Sequence, residues 1–171
     1  ATCLAAAQRI SEGLARATVA AKINGKLVDA TSVLSEGDSL ELVTLQDKEG
    51  LEVYRHTCAH VLAQALKTVY PTCKLAIGPV IDNGFYYDVD FTPITMEDFA
   101  KVEAEMKKII KSNLPIERFT LSREDAIALM SKYHENYKVE LISDLPEGEE
   151  ISFYKQGAFT DLCRGPHLPS T

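Results

Sequence analysis

The sequence predicts an α+β fold, organised as a small unit over residues 1–46 and a larger one over residues 47–171 in which a sheet packs against helices. Three observations carry this: an Asn-Gly hairpin between two apolar runs near the start, a long apolar stripe at helical spacing from residue 51, and several short period-two stretches after it.

The first unit opens with an Ala-rich helix from Leu4 to Leu14, with Gly13 marking its end. Val19–Ile23, Asn24-Gly25 and Lys26–Asp29 come next as a hairpin, because Asn-Gly suits a type I′ turn in which both residues need positive φ. Glu36-Gly37-Asp38 is a second turn, and Leu40–Thr44 alternates as a strand. So few elements make little core. Either the unit docks on the larger one or a preceding hairpin is missing, and the start of the chain at the helix favours the second. Gln46–Gly50 is the expected linker.

The second unit starts with a helix from Leu51 to about Tyr70, stopped by Pro71. Tyr54, Cys58, Val61, Leu62, Ala65, Leu66 and Val69 form its apolar stripe. Gly78-Pro79 and Asp82-Asn83-Gly84 are turns, and Phe85–Phe91 alternates as one half-buried strand. Thr95–Asp98 resembles a capping box and opens a helix to about Ser112, with Phe99, Val102, Met106, Ile109 and Ile110 inward. Ser122 opens another through Lys132; Lys138–Ile142 and Ile151–Tyr154 read as strands, and the chain ends in a Gly-Pro loop.

Composition excludes several classes. A quarter of the 171 residues are charged with signs mixed, and 46% are hydrophobic, so the chain is neither disordered nor fibrous. No run approaches the roughly 18 apolar residues of a membrane span, and Arg9 and Glu12 interrupt anything like a signal peptide. Cys3, Cys58, Cys73 and Cys163 are scattered, which predicts reduced thiols and an intracellular protein. A net charge of −7 argues against a surface that grips nucleic acid everywhere, but leaves room for local contact with a nucleic-acid end.

Two spaced pairs carry the chemistry. His56 and His60 lie four apart on the long helix, on one face about 40° apart. With Tyr54 at zero, the apolar stripe covers roughly 340° through 120° and the histidines fall near 200° and 240°, away from it. Read alone, they are either a functional pair or two solvated surface histidines. Cys163 and His167 are also four apart, but Arg164-Gly165-Pro166 between them cannot be a helix interior. His134 stands alone in a polar stretch and reads as surface. HxxxH with CxxxH suits tetrahedral zinc; it equally suits metal-free hydrolysis, in which histidines position or activate water. The pattern leaves both open.

Arg55–His60, the stretch Ala76–Asp88 (AIGPVIDNGFYYD), Tyr137-Lys138-Val139 and Asp161–His167 together resemble the threonyl-tRNA synthetases of bacterial type, and the resemblance spans essentially the whole chain. It implies that residues 1–46 are a ubiquitin-like (β-grasp) TGS domain without its opening hairpin, and that residues 47–171 are the editing domain, whose two motifs are shared with alanyl-tRNA synthetases. It also implies that the aminoacylation core, with its ATP and zinc, lies beyond residue 171. No cofactor is then expected in this chain. The expected activity is hydrolysis of serine mischarged on threonine tRNA. Serine lacks one methyl, worth only about 1–3 kcal/mol to a binding pocket, so a second, methyl-excluding sieve is needed.

The resemblance implies roles residue by residue. His56 and His60 flank the ester and hold the attacking water or a ribose hydroxyl. Lys138 stabilises oxyanion charge or places water. Asp161 receives the substrate ammonium, Cys163 and His167 shape the pocket, Tyr87 lies near the adenosine, and Arg164 is a basic group beside the site. A covalent role for Cys163 is the weaker alternative. No metal is expected; if one binds, His56, His60, Cys163 and His167 are its ligands. The expected partner is a tRNA 3′ end, held weakly and in a salt-dependent way. No membrane is involved, the location is cytoplasmic, and the chain is monomeric where the full enzyme is a homodimer. The rivals are a freestanding zinc-dependent hydrolase of the alanyl type and a non-catalytic tRNA- or partner-binding module.

Overall fold

The computed structural model describes residues 1–171 and has the predicted α+β composition. It divides into two compact units, residues 1–58 with 165–170 and residues 59–164 with 171.

In the first unit, α1 (Cys3–Ile10) and α2 (Glu12–Ala17) replace the single helix expected to end at Gly13. Ser11 is the reason. Its extended backbone closes α1, and its hydroxyl accepts from Leu14 N at 3.0 Å to cap α2. Strands β1 (Thr18–Ile23), β2 (Lys26–Val28) and β3 (Leu40–Thr44) form an antiparallel sheet in the order β2-β1-β3. The hairpin is as expected: Asn24 and Gly25 both have positive φ, 51° and 82°, and Ile23 pairs with Lys26. Ala20, Val43 and Val53 are the core, covered by Val19, Leu27 and Leu168.

Helix α3 (Lys48–Val69) begins inside the expected linker. Gly50 permits this early start, since a Cβ there would sit 1.9 Å from the Thr44 carbonyl oxygen. The expected exposure pattern of α3 is wrong in part. Tyr54 is 48% exposed, whereas Thr57, Ala59, His60, Val61, Ala63, Ala65 and Leu66 are all buried. The alanines beside His60 are small, so neighbouring chain approaches that face closely and buries the imidazole.

The second unit has two hydrophobic centres. One gathers Val61, Ala63, Ala65 and Leu66 of α3 with Cys73, Leu75, and Val102 and Ile109 of α4 (Met96–Lys111). The capping box of α4 forms as expected, with Asp98 in the Glu position. Phe99 and Ile110, expected inward, are half exposed. Between α3 and α4 run four two-residue strands: β4 (Lys74–Leu75), β5 (Val80–Ile81), β6 (Gly84–Phe85) and β7 (Val89–Asp90). The expected strand 85–91 therefore breaks at 86–88, although its alternation survives in the burial of Phe85, Tyr87, Val89 and Phe91 against exposed Tyr86, Asp88 and Asp90.

The other centre lies on the sheet β10-β9-β8, built from β8 (Ile116–Leu121), β9 (Ile151–Gln156) and β10 (Phe159–Leu162). Phe119, Leu121, Ile151, Phe153 and Leu162 pack there against α5 (Arg123–Lys132) and α6 (Asn136–Asp144). Strands β8 and β10 were not predicted from the sequence. The expected strand 138–142 is instead the middle of α6.

Candidate functional site

Helix α3 presents Thr57 between the two histidines. Thr57 Oγ1 lies 3.0 Å from His167 Nδ1 and accepts the Leu168 amide proton at 2.9 Å. The amide proton occupies one lone pair, and the hydroxyl proton can be donated to Nδ1. The His167 amide donates to Asp29 Oδ1 at 2.9 Å. Loop residue His167, only 1% exposed, is thus oriented at both ring and backbone, and its ring stacks on His56 with centroids 4.2 Å apart. The loop is non-helical as expected, with a cis Gly165–Pro166 peptide.

One turn further on, His60 is buried, with Phe159 edge-on at 6.3 Å and Nε2 3.8 Å from Asp161 Oδ2. Asp161, on β10, is the centre of this part. Its Oδ1 accepts from the Leu162 amide at 2.9 Å and faces Lys138 Nζ at 3.3 Å, while Oδ2 accepts from the Tyr87 hydroxyl at 3.1 Å. Lys138 Nζ also lies 3.5 Å from the Tyr87 oxygen. Burial, and then the Asp161 charge, push the Tyr87 hydroxyl well above its ordinary pKa, so it stays a neutral donor. Lys138 comes from α6, not from a strand, and its side chain is 5% exposed, against the surface lysine that period-two alternation suggests.

Cys163 comes directly after β10; its amide donates to the Ser152 carbonyl at 3.0 Å, and the Ser152 hydroxyl returns a bond to the Cys163 carbonyl. One ligand atom each from His56, His60, Cys163 and His167 lies within 4.8 Å of the others. Three imidazoles and a thiol suit zinc by type and number. A zinc tetrahedron with bonds of about 2.0–2.3 Å, however, holds its donors about 3.3–3.8 Å apart, so a set reaching 4.8 Å would have to contract to grip the ion.

Within the first unit the structure thus sets His167 on His56 and Thr57, and within the second it groups Lys138, Tyr87 and Asp161 on His60. Arg164 is different: it is exposed and ion-paired with Glu149. His134 is exposed, as expected. The four cysteines are free thiols, and burial raises the pKa of Cys58 and Cys73. Sequence reasoning missed Thr57, Asp29 and Gln156. Gln156 is fully buried and donates through Nε2 to the His60 carbonyl at 3.2 Å and to Gln64 at 2.9 Å, which braces α3 at the histidine. Thr57 alone left a signal, as a polar residue set between the two motif histidines.

A ubiquitin-like sheet followed by an α+β unit with paired histidine and cysteine motifs defines the class. Residues 1–44 match the TGS domain family, and residues 151–171 match the threonyl and alanyl tRNA synthetase second additional domain. The chain is 61% identical over 166 residues to a threonine–tRNA ligase of Clostridioides difficile, and 57% identical over 166 residues to one of Caldanaerobacter subterraneus subsp. tengcongensis; each match covers 96% of this chain and 26% of the relative. With a threonine–tRNA ligase of Carboxydothermus hydrogenoformans it shares 53% over 174 residues, 99% of this chain and 27% of that protein. The chain thus spans about a quarter of the length of these relatives, and over nearly its whole length it is similar to the N-terminal region of bacterial threonine–tRNA ligases. No helix is long and apolar enough to cross a membrane.

Proposed function

We propose that residues 47–171 hydrolyse the ester of serine mischarged on threonine tRNA, and that residues 1–46 are the accompanying TGS domain. The observation that supports this best is the buried Lys138–Asp161 pair beside His60, within one helix turn of His56 and its stacked partner His167. A buried charge pair does little for stability and is often kept for a task.

In this reading, water held by the histidines adds to the ester carbonyl, the bond between the acyl carbon and the ribose oxygen breaks, and the released ribose oxygen takes up the proton given up by the water. Lys138 offers its ammonium to the oxygen that gains negative charge. Asp161 offers its charge to the serine ammonium; its Oδ1 holds the Leu162 amide and Lys138, and its Oδ2 takes the Tyr87 hydroxyl and faces His60 Nε2 at 3.8 Å, the side from which the ammonium would approach. Cys163 and His167 bound the space for the hydroxymethyl group, and Arg164 contributes only general attraction to the tRNA end. The chain works as a monomer in the cytoplasm.

The test is single-turnover deacylation by the 171-residue chain of seryl- and threonyl-esters on threonine tRNA. The serine ester is expected to disappear at least tenfold faster, with His60→Ala abolishing the difference. Equal rates for both esters would overturn the reading.

The four-donor cluster supports a second reading, in which zinc bound there does the polarising. We favour metal-free hydrolysis because of the spread of the donors and the face-to-face stack of His56 on His167. Elemental analysis showing one tightly held zinc per chain, with deacylation lost on chelation, would reverse that preference.

A further inference from the structure

We propose that Lys67 and Glu135 are positioning residues: the ion pair between half-buried Lys67 and buried Glu135 sets the place of Lys138 over Asp161. This rests on the deacylase reading for its activity test, but the placement itself is open to an independent measurement.

Helix α6 needs outside support. Nine residues rich in Asn, Tyr, Val, Ile, Ser and Asp make a poor helix on their own. No side chain caps its N-terminus. Glu135 stands at the cap, where its carbonyl accepts the amides of Lys138 and Val139 at 3.1 Å, but its carboxylate turns away from the helix. That carboxylate is buried. It meets Lys67 Nζ at 2.7 Å through Oε1 and accepts the Leu75 amide at 3.2 Å through Oε2. Lys67 also donates to the Cys73 carbonyl at 2.8 Å.

Lys67 lies seven residues, about two turns, beyond His60, so both leave α3 from nearly the same face, about 10 Å apart along the axis. Lys138 lies three residues beyond Glu135. The contacts therefore close a ring: Lys67 to Glu135, along α6 to Lys138, across Asp161 to His60, and back along α3. Two points of attachment fix the register of α6 against α3, and that register decides where the Lys138 ammonium lies. The guanidinium of Arg123 holds the other end of α6 through the carbonyls of Ile142, Ser143, Leu145 and Pro146, and Tyr137 bonds Asp90 at 2.8 Å. Neither contact ties α6 to the helix that carries His60. An apolar pair in place of Lys67 and Glu135 would serve stability about as well, whereas a two-ended ionic contact specifies register.

The experiment uses Lys67→Met, Glu135→Gln, and the conservative Lys67→Arg in the 171-residue chain. Glu135→Gln keeps an acceptor for Leu75 and replaces the oxygen facing Lys67 by an NH2 group, so the charge and the acceptor of the ion pair go together. Single-turnover deacylation at saturating seryl-tRNA should fall about tenfold in Lys67→Met and Glu135→Gln, with half-saturation little changed, and Lys67→Arg should stay within about threefold of the parent. Added to Lys138→Met, Glu135→Gln should cost nothing more; losses that multiply would mark the pair as merely structural and overturn the proposal. The second readout needs no activity. Trace acetylation should label Lys138 slowly in the parent and in Lys67→Arg, and about tenfold faster in Lys67→Met and Glu135→Gln, with exposed Lys107 unchanged as reference. A parent chain that fails to deacylate sinks the hydrolase reading but leaves this labelling test standing. Unchanged Lys138 labelling in either charge-removing variant sinks the positioning role.

Discussion

Gly78→Ala probes the site through the backbone. A Cβ at residue 78 would lie 2.3 Å from Cδ2, 2.5 Å from Cε2 and 3.0 Å from Cγ of Tyr87. Ordinary contact begins near 3.4 Å, so the ring must retreat by about 1.1 Å. It cannot do so freely, because its hydroxyl is bonded to Asp161 at 3.1 Å, and a retreat of that size takes the bond past hydrogen-bonding range. Losing a hydrogen bond to a charged group costs about 1.5–3 kcal/mol, and overpacking adds about 1–3 kcal/mol. The narrower unfolded ensemble of alanine returns about 0.4–1 kcal/mol. The net expectation is a loss of about 2–5 kcal/mol, or a Tm lower by roughly 5–15 °C for a chain of this length.

Thermal unfolding by circular dichroism reads the stability, and single-turnover seryl-tRNA deacylation reads the site. Tyr87→Phe isolates the hydroxyl and should account for only part of the Gly78→Ala effect. In a Tyr87→Ala background, where the obstructing ring is gone, Gly78→Ala should cost almost nothing. A Gly78→Ala chain with parental Tm and rate, or one equally damaged in the Tyr87→Ala background, would refute the clearance argument.

Thr57→Val removes the hydroxyl that serves both His167 Nδ1 and the Leu168 amide, leaving two buried polar groups short of a partner at about 1–3 kcal/mol each. Nitrogen-15 NMR should show a shifted, broadened His167 Nδ1, with Thr57→Ser close to the parent; an unmoved resonance in Thr57→Val would contradict the orienting role. The Tyr70–Asp98 hydrogen bond predicts a pH profile. With the Thr95 amide and hydroxyl behind it, this bond holds Asp98 down at about 2, so their joint contribution is complete above the ordinary carboxylate value of 3.8 and disappears as pH falls from about 4 to 2. The same bond lifts Tyr70 to about 12, so the contribution is complete below 10.0 and lost as pH rises from there to about 12. Tyr70→Phe should flatten the alkaline limb and shrink the acid limb, which the Thr95 bonds keep in part, in a plot of Tm against pH, and a profile with both limbs unchanged would exclude this bond as a source of either.

Local chemistry made much of this fold legible. Asn24-Gly25 needs only its own φ preferences to make a turn, and Thr95 with Asp98 caps α4 within one turn of chain. Where tertiary packing decides, the local pattern misleads. Lys138–Ile142 alternates like a strand, yet Lys138 and Ile142 are one helical turn apart and both are buried, so packing on the sheet β10-β9-β8 overrides the alternation. Strand β8 mixes Glu117 and Arg118 into its run and exists because β9 pairs with it residue for residue from Ile116 to Leu121. At the site, the spacing of His56 with His60 and of Cys163 with His167 was visible in one dimension. Asp161, Lys138 and Tyr87 came only from the family resemblance, and the contacts that join them to His60 were not legible, because Lys138, Tyr87 and His60 lie 23, 74 and 101 residues from Asp161 and nothing local marks them. Gly78 was legible as a turn residue, but the tyrosine ring that requires it was not.

The placement of buried charge separates what the fold requires from what the site requires. The buried acidic and basic side chains are Asp29, His60, Glu135, Lys138, Asp161 and His167. His60, Lys138, Asp161 and His167 belong to the candidate site; Asp29 bonds the His167 amide, and the Glu135 carbonyl accepts the Lys138 amide. If the Lys138–Asp161 pair served stability, removing both charges should hurt as much as removing each. If it serves the site, the two removals should compensate. Lys138→Met strands a buried carboxylate, at about 3–5 kcal/mol. Lys138→Met with Asp161→Asn keeps an acceptor for the Leu162 amide, turns an NH2 donor toward the Tyr87 oxygen and discards both charges, and should recover most of the loss in urea denaturation, because a neutral pair avoids the desolvation of two ions. That double variant should be folded, stable and without deacylase activity. A double variant as unstable as the sum of its singles would show that the fold itself depends on the ions, and the inference from buried charge to function would fail with it.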